Sequence, residues 1–149
     1  NDSEDLVNEI SDNVLTIGAM SLHYDEKLPA NFSNFGKTNV DVFAPGVDIY
    51  ATMPKDKYTP NSGTSMAAPS AAGVAALVRS YYPKLSASQV KHILMNSGIK
   101  INLEVIKPGS QSRANPNGEK VPFSDLCVSG RVVNAYNALK MADRIVNGL

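Results

Sequence analysis

Apolar positions along this chain fall into short blocks first and long helical periods later. Residues 14–20 (Val-Leu-Thr-Ile-Gly-Ala-Met) are almost continuously apolar. A short run of this kind predicts a strand covered on both faces, the pattern of a parallel sheet. Residues 21–37 carry charges, Pro29 and Gly36, and read as a loop. Residues 40–46 predict a second short strand stopped by Pro45-Gly46, and residues 48–53 a third stopped by Pro54. Residues 55–62 are polar and read as a loop.

The period then changes. From Thr64 to Tyr82 the chain predicts one long helix, apolar all round as far as Val78. A helix with that pattern is expected to be central and enclosed. Pro83 ends it, because the residue before a proline avoids helical geometry. Pro69 falls early in the helix, where N–H groups lack intrahelical partners. Ser86 followed three residues later by Gln89 is a capping-box pattern. It opens a helix with Val90, Ile93 and Leu94 on one face and Gly98 at its end. Ile99, Ile101, Leu103 and Val105 alternate with polar residues, predicting one half-buried strand. Residues 107–119 are rich in Pro, Gly, Ser and Asn and predict an exposed loop. Residues 121–129 read as extended. Val132, Ala135, Tyr136, Leu139, Ala142 and Val146 recur at helical spacing, and Gly148 closes that last helix. Strands first and helices later suit an α/β layered domain.

Composition narrows the possibilities. The 149 residues include 14 basic and 14 acidic side chains, with no long run of either sign. Nucleic acid and anionic membrane surfaces are therefore not expected partners. No stretch reaches the ~20 apolar residues of a membrane span. Cys127 is the single cysteine, so no internal disulfide forms, and it reads as a small buried apolar residue. The N-terminal segment is acidic and polar and lacks the pattern of a signal peptide. The abrupt start at Asn1-Asp2-Ser3 suggests a processed or excised piece.

The chemistry concentrates in Gly63-Thr64-Ser65-Met66-Ala67-Ala68-Pro69. A glycine-led turn delivers one serine into a long apolar helix. Unpaired N–H groups and the positive dipole end favour an oxyanion there. This string, extended back to Asn61-Ser62 and forward through Ala72-Gly73, resembles the nucleophile motif of the subtilisin-like serine proteases. Asp41-Val42-Phe43-Ala44-Pro45-Gly46 is similar to that family's "DVxAPG" element. Residues 13–19 and 130–135 resemble a strand and the closing helix of the same family. Where the family usually has histidine after the motif's proline, this chain has Ser70.

The resemblance implies a specific fold and role. The fold is α/β, the C-terminal portion of a subtilisin-like parallel-sheet domain whose central buried helix starts at the nucleophile. Residues 1–149 are the partial peptidase domain. Ser65 is the acylated serine, flanked by Gly63 and Met66, and oxidation of Met66 is expected to slow the enzyme. The family's Asp and His motifs would lie upstream of Asn1. Neither His23, in a polar loop, nor His92, on the outer face of a helix, is a candidate base. Asn1 would supply a side-chain donor to the oxyanion hole, in the family's "AAGN" context. Thr64 either adds its hydroxyl to that hole or simply caps the helix. Asp41 matches a position that can help bind a structural calcium or monovalent cation, and otherwise reads as a turn or surface acid. No cofactor is required for the chemistry.

Tyr24, Tyr50 and Tyr58 are expected to pack rather than contact substrate. The resemblance also implies a polypeptide substrate and a secreted, periplasmic or cell-surface location. A serine without a histidine is a weak nucleophile at neutral pH. The chain alone is therefore expected to be inactive. Alternatives are a non-catalytic scaffold fragment or a pseudoprotease, either self-associating or pairing with the missing N-terminal part.

Overall fold

The computed structural model describes residues 12–148. Asn1 lies outside them. A four-stranded sheet forms the centre. Strand β1 (Ile17–Met20) runs parallel to β2 (Val42–Pro45), with Gly18 opposite Phe43 and Ala19 opposite Ala44. On the other side of β2 lies β8 (Arg131–Val132), also parallel, and then β5 (Ile99–Lys100), antiparallel to β8. Of the run at 14–20, only residues 17–20 form the expected parallel strand, with Gly18 and Ala19 buried and Ile17 and Met20 half-covered, while Val14 and Thr16 are exposed.

Two antiparallel pairs stand apart from this sheet. Strand β3 (Ile49–Met53) pairs with β4 (Lys57–Asn61). The segment 55–62, expected as a loop, is therefore largely the second arm of a hairpin. Lys55 and Asp56 have left-handed φ of 65° and 54° at its tip. The polar composition and Pro60 conceal this arm, which is tolerated because the pair has only one ladder to satisfy. The alternating run 99–105 is also divided. Ile99 and Lys100 join the central sheet, whereas β6 (Glu104–Ile106) pairs with β7 (Lys120–Pro122). Ile101 and Val105 still share one core, so the period of two survives a change of partner. Residues 123–125, expected as extended, form a short 3₁₀ turn instead.

Three helices complete the layers. Helix α1 (Thr64–Tyr81) ends just before Pro83, as expected. Helix α2 (Ala87–Ser97) opens on a complete capping box: Ser86 Oγ accepts from the Gln89 amide and Gln89 Oε1 accepts from the Ser86 amide. Helix α3 (Ala135–Asn147) starts at Asn134, whose side chain accepts from the Asn137 amide, and closes at left-handed Gly148. Val132, expected within this helix, belongs to β8.

The core divides into three clusters. Phe43, Phe123, Leu28, Val105 and Leu126 fill one face of the sheet, with the Phe43 and Phe123 rings edge to face at 5.1 Å. The helices meet through Val78, Ile93, Leu94, Ala138 and Ala142. Between α1 and the sheet the fully buried contacts are alanines, Ala19, Ala30, Ala44, Ala67 and Ala71, with Ile17, Val47 and Val133 packed against them. Small side chains let the start of α1 approach β1 and β2 closely, which fixes where that helix begins.

The enclosure expected of α1 is one-sided. Ala67, Ala71 and Val78 are buried, but Ala68, Pro69, Ala72, Gly73, Ala76 and Leu77 are exposed. The sheet covers one side, α2 and α3 pack near the C-terminal half, and no described residue shields the remaining face. Tyr24, Tyr50 and Tyr58, expected to pack, are at least 59% exposed. Tyr50 and Tyr58 stack only on one another, at 5.9 Å, across the hairpin.

Candidate active site

The turn before α1 is held to the end of β2 by its backbone. The Gly63 amide donates to the Gly46 carbonyl at 2.8 Å, and the Gly46 amide donates to the Met20 carbonyl at 2.9 Å. One residue earlier, Ser62 Oγ accepts from the Asp48 amide at 2.9 Å. Gly46 is required here. A Cβ on it would lie 2.8 Å from the Gly63 oxygen and 2.9 Å from the Cβ atoms of Ala19 and Ala67. The "APG" segment and the turn that carries Ser65 are thus one structural unit, although 17 positions separate the two glycines (63 − 46).

Gly63 is the N-cap of α1. Its carbonyl accepts from the amides of Met66 (3.0 Å) and Ala67 (3.3 Å). The amides of Thr64 and Ser65 have no acceptor among the described residues. Ser65 lies in this first turn with its side chain exposed, and no acidic residue competes there. A free donor pair at the positive end of an 18-residue helix suits a negative oxygen forming on a group attached to Ser65.

The neighbours depart from expectation in two respects. Thr64 does not cap the helix. It is already the first helical residue, and no side chain performs the capping. Pro69 is the sixth helical residue, beyond the unpaired N–H groups. It removes the donor that the Ser65 carbonyl would otherwise receive from four residues on. Met66 is half-buried, its Sδ 3.5 Å from where a Cβ on Gly63 would sit. Ser70 donates to the Met66 carbonyl at 3.1 Å and lies 3.4 Å from the Pro45 oxygen, so it ties α1 to β2.

No described side chain acts on Ser65 as a base. His23 is exposed in its loop. His92 is exposed on α2 and faces Asp12 at 3.4 Å. Both histidines stand as ordinary surface residues, as the sequence implied. Cys127 is fully buried, and burial raises its thiol above the ordinary value.

Asp41 has partners of its own. Its carboxylate accepts from the Thr16 amide at 2.7 Å and lies 3.4 Å from Lys91 Nζ. Lys91 in turn donates to the Val14 carbonyl at 2.8 Å. Both side chains are largely buried, at 14% and 10% exposure. A second cation placed about 4 Å from that ammonium would meet repulsion of about 4 kcal/mol at an effective dielectric of about 20. Lys91 thus already supplies a positive charge beside Asp41, which disfavours a second cation there.

Sequence patterning gave no sign of a cleft of about 290 Å³ lined by Lys27, Ala30, Phe32, Val47, Ile106 and Gln111. Its walls come from segments about 80 residues apart in the chain (27 and 111), so no local pattern encodes it. Val47 in its wall follows Gly46, whose carbonyl accepts from the Gly63 amide.

Comparison with known sequences fits this geometry. Residues 3–128 match the sequence model of the subtilase family. The chain belongs to the subtilase family. It is 44% identical to Subtilisin DY of Bacillus licheniformis over 90 residues, which is 60% of this chain and 31% of that protein. It is 33% identical to the Cell wall-associated protease of Bacillus subtilis (strain 168) over 135 residues, 87% of this chain and 15% of that protein. Among solved structures, the A-subunit of the AB5 toxin from E. coli superposes with a TM-score of 0.67 at 28% identity. That match covers 91% of this chain and 40% of the toxin subunit. The self-cleaved protease domain of PatA gives 0.61 at 28% identity, over 88% and 42% of the two chains. This subtilase chain thus spans under half the length of each of these relatives.

Proposed function

We propose that this chain is the C-terminal portion of a subtilase catalytic domain whose whole protein is a serine endopeptidase, with Ser65 as its nucleophile. The observation that carries this reading is the exposed Ser65 in a helix turn whose first two amides have no acceptor among the described residues. In the whole protein a histidine upstream of Asn1 takes the Ser65 proton as Oγ attacks the peptide carbonyl. An aspartate further upstream orients that histidine. The Ser65 amide, the Asn1 side chain and the Thr64 hydroxyl donate to the tetrahedral oxyanion. The histidine then protonates the leaving amine, and water hydrolyses the acyl-enzyme by the same route. No cofactor enters these steps. Polypeptide substrates and export from the cytoplasm follow from the same reading.

The test is Ser65→Ala in the full-length protein. Loss of kcat on the order of 10⁴-fold or more, with loss of fluorophosphonate labelling at residue 65, is expected. A loss under tenfold would overturn the assignment. Asn1→Ala is expected to lower kcat roughly a hundredfold with KM unchanged.

The exposed strip Ala68, Ala72, Ala76 and Leu77 supports a second reading, in which the fragment docks onto the rest of its domain or onto another copy. Sedimentation of the chain as a clean monomer would count against self-association.

A further inference from the structure

The sequence resemblance implies a cation site at Asp41, yet this chain brings its own positive charge there. We propose that the Lys91 ammonium is a built-in replacement for that cation, so that Asp41 binds no exchangeable metal. Three observations converge. Lys91 Nζ donates to the Val14 carbonyl at 2.8 Å and faces the Asp41 carboxylate at 3.4 Å, which places it between an amide oxygen and an acid. Hard cations select this combination of donors. Both side chains are largely buried, so the pair is little screened by solvent. The same carboxylate accepts from the Thr16 amide, while the Asp41 amide donates to the Thr16 carbonyl at 2.9 Å.

The consequence is architectural. Val14 and Thr16 lead into β1, Asp41 leads into β2, and Lys91 projects from α2. One ammonium therefore fastens the entry ends of two parallel strands to the helix layer. A divalent ion could perform the same task only by first displacing a covalently tethered charge. The tether keeps the effective concentration of that charge high at any ionic composition. The site is thus metal-independent by construction, and removing the ammonium re-creates an acid and a carbonyl that are open to a metal.

The test is a thermal melt of the full-length protein, in chelator and with millimolar calcium or potassium, for the wild type and three variants. In the wild type, Asp41→Asn leaves the calcium-induced and potassium-induced shifts in Tm unchanged. Lys91→Met lowers Tm in chelator by about 5–10 °C, the scale for stranding one partner of a mostly buried pair. It also gains an additional cation-induced shift, which the double variant Asp41→Asn/Lys91→Met lacks. The proposal is overturned if Asp41→Asn removes part of the wild-type cation shift, or if Lys91→Met gains none. Should Lys91→Met fail to fold, Asp41→Asn alone still decides the first point.

Discussion

The amide of Gly63 donates to the carbonyl of Gly46 at 2.8 Å, and no side chain fits between them. This bond joins the stop signal of β2 to the turn that presents Ser65. Position 46 therefore governs where Ser65 sits without touching it. Gly46→Ala would drive a Cβ against one backbone oxygen and two alanine Cβ atoms, none of which can rotate away. A loss of about 1–3 kcal/mol of stability is expected, as for other overpacked sites. In the full-length protein, fluorophosphonate labelling at Ser65 should slow by a larger factor than in Ser70→Ala. Equal labelling rates for wild type and Gly46→Ala would refute the link.

The isolated chain 1–149 should not react at Ser65. Its hydroxyl has no base among the described residues, and both histidines are occupied elsewhere or exposed in solvent. Incubation with a fluorophosphonate probe and mass spectrometry of the peptide containing Ser65 checks this. Rapid stoichiometric labelling would be the contrary result.

The capping box of α2 lies far from the serine turn in the chain and contributes to stability alone. Ser86→Ala removes the acceptor for the Gln89 amide. A cost of about 1 kcal/mol is expected, or roughly 2–4 °C in Tm for a domain of this size. The kcat of the full-length protein should not change. Calorimetry and steady-state kinetics on one preparation separate the two effects.

Cys127 should make the fold sensitive to alkali. Burial raises its thiol, so the folded chain holds that proton more tightly than the unfolded one. The associated stability is fully present below the unfolded value of about 8.5 and declines as pH rises towards the folded value. Urea unfolding between about pH 7 and 10 should show a decline that is shallower in Cys127→Ala. Identical slopes would exclude the thiol as the cause. Native Cys127 should also react slowly with iodoacetamide at neutral pH, since the thiolate is the reactive form.

Local signals survived wherever one element answered to one partner. The last four residues of the apolar run before Ser21 became a parallel strand, with Gly18 and Ala19 buried at its centre. Ser86 and Gln89 formed their box because capping depends on four consecutive residues. Gly148 ended α3 because only a left-handed residue closes that turn. Where partners change mid-run, the sequence misleads. Ile99 to Val105 reads as one strand, yet Ile99 pairs with Val132 and Val105 with Val121. The β4 arm shows no alternation at all, because neither of its faces is buried.

The sequence by itself determined the family, the serine turn and the place where its helix begins, because a glycine turn running into small apolar residues is a local instruction. Tertiary structure decided what holds that serine in position. The Gly46–Gly63 bond, the alanine contact beneath α1 and the Lys91 ammonium beside Asp41 each join residues from separate segments. Such contacts have no period and no motif. They exist only once the strands and helices have packed.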